Sequence, residues 1–175
     1  DVDGNEESRE GTVSVFNGPI PIVSLYNTEE DERQDVTNWI VANLEEGFEP
    51  GEIGIFVRSS AELGRARAVT KQFGAEVVEL SDRIEDRTGK ISIGTMHLAK
   101  GLEFKAVAVM ACDDDVLPLQ KRIETAVDEM DLDRVFETER HLFYVACTRA
   151  RDRLLVTGVK PASEFFEDME VYKSN

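Results

Sequence analysis

The chain has 175 residues and a formal net charge of −16, and 41% of its residues are apolar. This length favours a single domain with its own hydrophobic core, and the acidity argues against nonspecific nucleic-acid binding, which depends on neutralising phosphates. No apolar run approaches the roughly 18 residues that span a membrane, and from the acidic N-terminus we expect no signal peptide.

Chain order predicts strands that alternate with helices. Residues 1–11 are polar and acidic and are predicted to form a linker or tail. The β-branched runs TVSVF and IPIVSLY predict two short strands separated by the turn NGP. A helix is predicted from Thr28, an N-cap residue followed by acidic residues, and Gly47 and Pro50 end it. The continuous apolar run IGIFVR predicts a buried strand at 53–58.

The second half of the chain continues this alternation. Further strands are predicted at EVVEL, at KISIGT (90–95), at FKAVAVMAC (104–112) and at DRLLVTG (152–158). Helices are predicted for SSAELGRARAVTKQFG, with Ser59 or Ser60 as the cap and Gly74 as the stop, and for FETERHLFYVACTRAR (136–151). Residues 120–135 are predicted to be a loop with some helix. Residues 161–175 are predicted to be a tail with a short helix.

The unbroken apolar strands indicate the fold class. Strands of this kind that alternate with helices are typical of a parallel sheet covered on both faces, so we predict an α/β domain over residues 12–160. In such folds the chemistry lies at the carboxyl ends of the strands. Arg58 and Thr95 both stand where a predicted strand ends, so we expect them at a common edge.

Two further features concern the setting of the chain. Cys112 and Cys147 are far apart and form no CxxC pair, which favours buried thiols in a reducing cytoplasm over a disulfide framework or a metal site. The sequence begins without Met, and we interpret it as a piece of a longer protein. The acidity is concentrated in residues 1–50, whereas residues 58–105 carry a small excess of Lys and Arg. The charge of this central segment is therefore compatible with a local contact to a phosphate group.

Three strings of the sequence carry a resemblance to a known family. TMHLAKGLEF (95–104) resembles motif V of the UvrD/Rep-type superfamily 1 helicases, and FYVACTRARDRL (143–154) resembles their motif VI. IGIFVRSSAELGRA is similar to motif IV, and the three strings follow the family order. The resemblance covers roughly residues 18–160. It implies the C-terminal RecA-like domain, a three-layer α/β domain with a mainly parallel sheet.

The resemblance also implies roles for individual residues. Arg149 is implied as an arginine finger, and Arg58 as a second arginine near the γ-phosphate of ATP. Glu103 is implied as a contact to the ribose or the nucleotide edge. The implied single-stranded DNA contacts are Thr95, His97 and Lys100, and Gly101 is implied beside Glu103 at the nucleotide. Lys100 and Gly101 are expected to shape the loop that couples the nucleotide and DNA sites.

Each of these residues has a simpler interpretation. Taken singly, Arg149 is a favourable charge near a helix C-terminus, and Arg58 is a surface charge at a strand end. His97 is a packed loop histidine. Glu103 forms an ion pair with Lys100. Tyr144 and Cys147 are interpreted as the packing face of their helix. Residues 113–115 (DDD) are predicted to be a solvated turn, since nothing supplies a second cluster of metal ligands.

The sequence lacks the motifs that hold the phosphates of ATP. No G-x-x-x-x-G-K-[ST] string is present, and TGKIS at 88–92 does not satisfy the pattern. No Walker B pair stands in a matching context either. The phosphate cradle and the Mg²⁺ site are therefore expected in an upstream RecA-like domain. Residues 59–94 are too few for the accessory domain that larger family members insert here.

The sequence therefore predicts the second motor domain of an ATP-dependent DNA helicase or translocase. Its expected partners are the upstream RecA-like domain of the same chain and single-stranded DNA, and its expected cofactors are ATP and Mg²⁺. The fragment alone is predicted to be inactive as an ATPase. The alternative is a non-catalytic helicase-like module for protein interaction or regulation. A stand-alone nucleotide-binding domain is disfavoured because no glycine-rich loop follows any strand.

Overall fold

The computed structural model describes residues 18–170. The predicted tail at 1–11, the predicted strand TVSVF and the last five residues lie outside the described residues. Six strands form one sheet, in the order β1-β6-β5-β2-β4-β3, and every pairing is parallel. The strands are β1 (Ile22–Tyr26), β2 (Ile53–Val57), β3 (Val77–Glu79), β4 (Ile91–Thr95), β5 (Phe104–Val109) and β6 (Ala150–Val159). The predicted parallel α/β class is confirmed.

Helices cover both faces of this sheet. They are α1 (Glu29–Glu45), α2 (Leu63–Thr70), α3 (Gln120–Glu124), α4 (Glu129–Cys147) and α5 (Phe166–Glu170). Helices α1 and α2 bury Val36, Ile40 and Val69 against one face, while α4 buries Phe143 and Ala146 against the other. The sheet is therefore the middle of three layers, as predicted. No helix in residues 18–170 has the length and apolar character needed to cross a membrane.

The start of α1 is fixed by local chemistry. The Thr28 side chain accepts a hydrogen bond from the Asp31 backbone N–H, and the first turn is acidic, which stabilises the positive end of the helix dipole. The helix ends at Glu45, and Gly47 follows with a φ of 101°, in the left-handed region that glycine tolerates. The predicted cap and stop are both confirmed.

Helix α4 differs from its prediction at both ends. It begins at Glu129 because the Asp128 side chain caps it, accepting from the Asp131 N–H at 2.8 Å. The predicted loop at 120–135 is therefore partly wrong. The helix ends at Cys147, since Ala150 already pairs with Phe104 in the sheet. Arg149 thus lies in the turn between α4 and β6 and not within the helix.

The predicted helix at 59–74 is shorter in the structure. Ser59 is extended and makes no side-chain cap, and residues Ser60–Glu62 form a 3-10 turn before α2. Helix α2 ends at Thr70, four residues before Gly74. The glycine itself has a φ of 66°, so it reverses the chain after the helix as expected of a stop residue.

A buried charge cluster joins both helices of one face to the carboxyl edge of the sheet. Glu32 is fully buried and accepts from the Ala111 N–H at 2.9 Å, from the Thr157 hydroxyl at 2.7 Å and from Arg65. Asp113 accepts from Arg65 at 2.5 Å and from the Val159 N–H at 2.7 Å. Its side chain is only 14% exposed, so the predicted solvated turn is wrong for Asp113.

Packing continues beyond residue 160. Phe165, Phe166 and Met169 are buried in the same core as Phe143. The Arg140 guanidinium lies over the Phe165 ring at 4.9 Å and bonds Asp168 at 2.8 Å. The segment around α5 therefore completes the core on the α4 face.

Candidate functional site

The predicted site residues fall on opposite edges of the sheet. Arg58 directly follows β2, and Thr95 ends β4, its neighbour in the sheet, with Val57 paired to Thr95. The predicted common edge for Arg58 and Thr95 is therefore confirmed, and it is the carboxyl edge. Arg149 directly precedes β6 and Glu103 directly precedes β5, so both lie at the amino edge.

This arrangement separates the two arginines that the sequence assigned to one phosphate. Strand β5 has six residues between the two edges, which is roughly 20 Å at about 3.3 Å per residue. Side chains at Arg58 and Arg149 therefore do not converge on one phosphoryl group. The geometry argues against a shared γ-phosphate contact and leaves Arg149 as the arginine beside Glu103.

Arg149 is held in place without a negative partner. Its Nε donates to the Val145 carbonyl at 3.1 Å, Nη1 to the Leu102 carbonyl at 3.4 Å, and Nη2 to the Thr148 hydroxyl at 3.2 Å. Its own carbonyl accepts from the Phe104 N–H at 2.9 Å. No carboxylate of residues 18–170 pairs with it. Its positive charge is therefore fixed in position but uncompensated, in a strongly acidic chain.

Glu103 and Lys100 are both exposed, and neither forms an ion pair within the described part of the chain. The simpler interpretation, that Glu103 pairs with Lys100, does not describe this structure. Glu103 is free to accept hydrogen bonds at the edge where Arg149 carries its charge. These two groups of opposite sign define the candidate site at the amino edge.

Gly101 shapes the turn that leads into this site. Lys100 has a φ of −59° and a ψ of 129°, Gly101 has a φ of 80°, and the Leu102 N–H donates to the Ala99 carbonyl at 3.1 Å. These values define a type II turn, whose third residue requires a positive φ. No atom lies within 4 Å of a Cβ added at Gly101, so the constraint is the backbone conformation and not space.

We expect Gly101→Ala to destabilise the chain by about 1 kcal/mol, because alanine is strained at positive φ. The loss should appear as a lower midpoint in urea denaturation. Gly64→Ala is the matched control, since Gly64 lies in α2 with open space around a Cβ and without a positive φ. It should be neutral or stabilising, as alanine favours a helix. Equal effects of the two changes would contradict the turn assignment.

At the carboxyl edge, Arg58 is buried in an ion pair. It is 3% exposed, and its Nε and Nη2 donate to the two carboxylate oxygens of Glu139 at 2.6 Å each. Glu139 also accepts from the Leu119 N–H at 3.0 Å and from Arg122 Nη1 at 2.9 Å. Arg58 is therefore not a surface charge, and two of its three guanidinium nitrogens are bonded to Glu139. It fits a structural clamp better than a phosphate contact.

The sequence reasoning missed Glu139, although a signal was present. Glu139 lies three residues after Phe136 and four before Phe143, on the apolar face of α4. An acid on such a face requires a buried cation as its partner. Burial alone raises the pKa of the Glu139 carboxyl, but the hydrogen bonds from Arg58, Leu119 and Arg122 and the charge of Arg58 lower it below its usual value.

His97 is exposed, in a 3-10 turn (Met96–Ala99) that follows β4. Partial desolvation and the charge of Arg58 lower its pKa below 6.5, so the imidazole is neutral at neutral pH. It is not a packed loop histidine, and it is able to exchange hydrogen bonds with a ligand. Thr95 beside it is half-buried at the end of β4.

Of the two residues interpreted as the packing face of α4, one is buried and the other is exposed. Cys147 is buried, as predicted, and burial raises the pKa of its thiol. Tyr144 is 49% exposed, so that prediction is wrong. Its position is set by the helical repeat, which turns residue 144 away from the face that carries Phe143 and Cys147. Within residues 18–170 no group of three or more His, Cys, Asp or Glu side chains is placed to hold a metal ion.

The parallel sheet between two helical layers, with motif residues at both edges, has the RecA-like α/β fold. A solved structure with this fold is the C-terminal domain of a possible DNA helicase from Lactobacillus plantarum WCFS1. It superposes with a TM-score of 0.59 over 86% of this chain and 83% of that chain, at 24% identity.

Residues 74–160 match the family model described as the UvrD-like helicase C-terminal domain. The ATP-dependent DNA helicase PcrA of Bacillus subtilis is 34% identical over 93 residues, which are 52% of this chain and 12% of that protein. The ATP-dependent DNA helicase Rep of Buchnera aphidicola is 32% identical over 91 residues, 52% of this chain and 13% of that protein. The resemblance drawn from the motifs is confirmed, and the chain spans only a small part of the length of these relatives.

Proposed function

We propose that this chain is the second motor domain of an ATP-dependent DNA helicase or translocase. It completes an ATP site whose other half belongs to an upstream RecA-like domain. The observation that carries the proposal is Arg149, a guanidinium held at the amino edge by three neutral acceptors with no carboxylate partner in residues 18–170. A positive charge fixed in this way suits an incoming anion.

The amino edge has the groups that this role needs. Hydrolysis of ATP develops charge on the transferred phosphoryl group, and Arg149 would stabilise that charge from the facing domain. Glu103 is exposed beside it and would accept hydrogen bonds from the ribose hydroxyls. Because the sequence carries no Walker A string, we assign the Mg²⁺ site and the phosphate cradle to the upstream domain.

The carboxyl edge would contact single-stranded DNA. The Thr95 hydroxyl and the His97 imidazole would bond phosphate oxygens there. The segment 96–103 runs from this edge back to the amino edge, and its 3-10 turn packs against α4. Lys100 and Gly101 lie in this segment. When the two motor domains close on each other, the amino edge and the carboxyl edge of this domain would move as one unit. ATP hydrolysis at one edge would therefore be linked to the DNA contacts at the other.

Arg58 takes a different role in this proposal from that of a finger. Its pair with Glu139 ties the end of β2 to α4, and α4 leads directly to Arg149. Arg58 is therefore a positioning residue that fixes the helix on which the finger depends.

ATP turnover by the full-length protein, with and without single-stranded DNA, tests the proposal. We expect DNA to stimulate turnover, and we expect His97→Ala to weaken the stimulation without changing the basal rate. His141→Ala, which removes an exposed histidine from the solvent side of α4, is the matched control and should have no effect. The 175-residue chain alone should not hydrolyse ATP. Turnover by this chain alone, or no DNA stimulation of the full-length protein, would refute the proposal.

The acidic composition favours a second candidate, a non-catalytic interaction or regulatory module. A net charge of −16 suits protein partners better than a long contact with DNA. The upstream sequence discriminates between the two functions. Intact Walker A and Walker B motifs there support the motor, and degenerate ones support the interaction module.

A further inference from the structure

One buried carboxylate at the carboxyl edge is shared by two arginines. Glu139 Oε1 accepts from Arg58 Nη2 at 2.6 Å and from Arg122 Nη1 at 2.9 Å. The three side chains together carry one surplus positive charge. The side chains of Arg58 and Glu139 are 4% and 0% exposed, whereas that of Arg122 is 37% exposed. The surplus charge is therefore exposed to solvent mainly through Arg122.

The Arg122 guanidinium is held in position but not saturated. Its Nη1 is its only donor that forms a hydrogen bond with any of residues 18–170. The contact with Glu139 restrains the otherwise flexible side chain, and Nε and Nη2 remain for a ligand. A restrained planar guanidinium with two free donors matches the geometry of a phosphate group.

The fold places this group beside the proposed DNA contacts. Arg58 follows Val57, which pairs in register with Thr95, and Glu139 joins Arg122 to Arg58. Beyond desolvation and the charge of Arg58, the charge of Arg122 also lowers the pKa of His97. Arg122, Thr95 and His97 therefore belong to one surface.

We propose that Arg122 is a further phosphate-binding residue of the single-stranded DNA path, with Glu139 as its positioning residue. This inference rests on the proposed function of Thr95 and His97. It adds a guanidinium to the surface on which Thr95 offers a hydroxyl and His97 an imidazole. Nothing in the sequence marks Arg122, because it lies in a stretch predicted to be mostly loop.

The test is the binding of a labelled short oligodeoxythymidylate to the 175-residue chain over a series of salt concentrations. Arg122→Gln should weaken binding about five- to ten-fold at low salt. It should also reduce the slope of log affinity against log salt by about 0.7, the value for one lost phosphate contact on a single strand. Arg151→Gln removes the same charge from an exposed residue at the amino edge, and it should leave both quantities unchanged.

Three further measurements separate DNA contact from loss of structure. Arg122→Lys keeps the charge and should retain the salt slope, even if its affinity falls. In proton NMR titrations, Arg122→Gln should raise the pKa of His97, because a nearby positive charge has been removed. Far-UV circular dichroism should show that each variant remains folded. If Arg122→Gln unfolds the chain, the salt dependence of DNA binding by Arg122→Lys is compared with that of wild type instead. A smaller slope of log affinity against log salt for Arg122→Lys overturns the inference.

The outcomes distinguish this inference from the proposed function. If Thr95→Ala and His97→Ala weaken binding but Arg122→Gln keeps the wild-type affinity and slope, Arg122 is not a DNA contact and the proposed function stands. If the wild-type chain does not bind the oligonucleotide, or if Thr95→Ala and His97→Ala have no effect, the proposed DNA edge is wrong and the inference falls with it.

Discussion

Replacing Arg149 with alanine in the full-length protein is expected to reduce DNA-stimulated ATP hydrolysis about a thousand-fold or more, the range known for arginine fingers. The affinity for ATP should change little, because the guanidinium acts on charge that develops in the transition state. The structure supports this expectation through the position of Arg149 in the turn after α4, where only carbonyl and hydroxyl oxygens bond it.

The measurement is steady-state turnover with saturating single-stranded DNA, together with the equilibrium binding of a labelled ATP analogue. Arg149→Lys keeps the charge but loses the planar fork, so only a small part of the activity should return. Arg151→Gln is the matched control, because it removes an exposed positive charge two residues away. Its turnover should stay within about two-fold of wild type. Turnover by Arg149→Ala close to that of wild type would contradict the finger assignment.

Replacing Glu139 with alanine is expected to cost the chain about 3–5 kcal/mol of stability, the usual effect of removing one partner from a buried ion pair. The change leaves Arg58 buried without a negative partner and removes the acceptor of the Leu119 N–H. Urea denaturation of the 175-residue chain measures the loss. Glu137→Ala removes an exposed acid from the same helix, and its effect should stay within about 0.5 kcal/mol.

A double-mutant cycle identifies the origin of the Glu139 effect. The double variant Arg58→Met/Glu139→Leu removes both charges. It should therefore be much less destabilised than the sum of the two single changes predicts.

The pH dependence of stability provides an independent test of the Glu139 effect. Because the Glu139 pKa is lowered in the folded chain, its stabilisation is present above the ordinary value of 4.5 and is lost as the pH falls through the lowered pKa. The stability gap between wild type and Glu139→Gln should therefore narrow in acid. In the double-mutant cycle, additive effects of the two single changes on stability would show that Arg58 and Glu139 act separately.

The two predictions concern one helix. Glu139 anchors α4 near the carboxyl edge, and Arg149 follows its C-terminus at the amino edge. A change at Glu139 that leaves the chain folded, such as Glu139→Gln, should therefore disturb the position of Arg149 as well as the DNA edge. This physical connection gives the proposed motor a route between its two sites that does not pass through the segment 96–103.

Much of the fold followed from the sequence because its causes are local. Apolar strands without polar alternation indicate a sheet buried on both faces, and Thr28 with its acidic first turn starts α1 wherever the helix packs. The common edge of Arg58 and Thr95 followed from the same rule, since parallel strands end together. The motif strings identified the family resemblance, because they are long and occur in order.

The pairing of distant groups was decided only by the tertiary structure. Arg58 and Glu139 are 81 positions apart, and no local pattern joins them. The helix prediction through residue 151 failed because pairing of Ala150 with Phe104 ends α4 earlier, and this pairing places Arg149 at the edge opposite Arg58. Arg122 became a candidate only because Glu139 joins it to Arg58, which follows the strand that pairs with Thr95. Sequence patterns report the preferences of each segment, whereas the partner of a buried charge depends on which segments the packed sheet brings together.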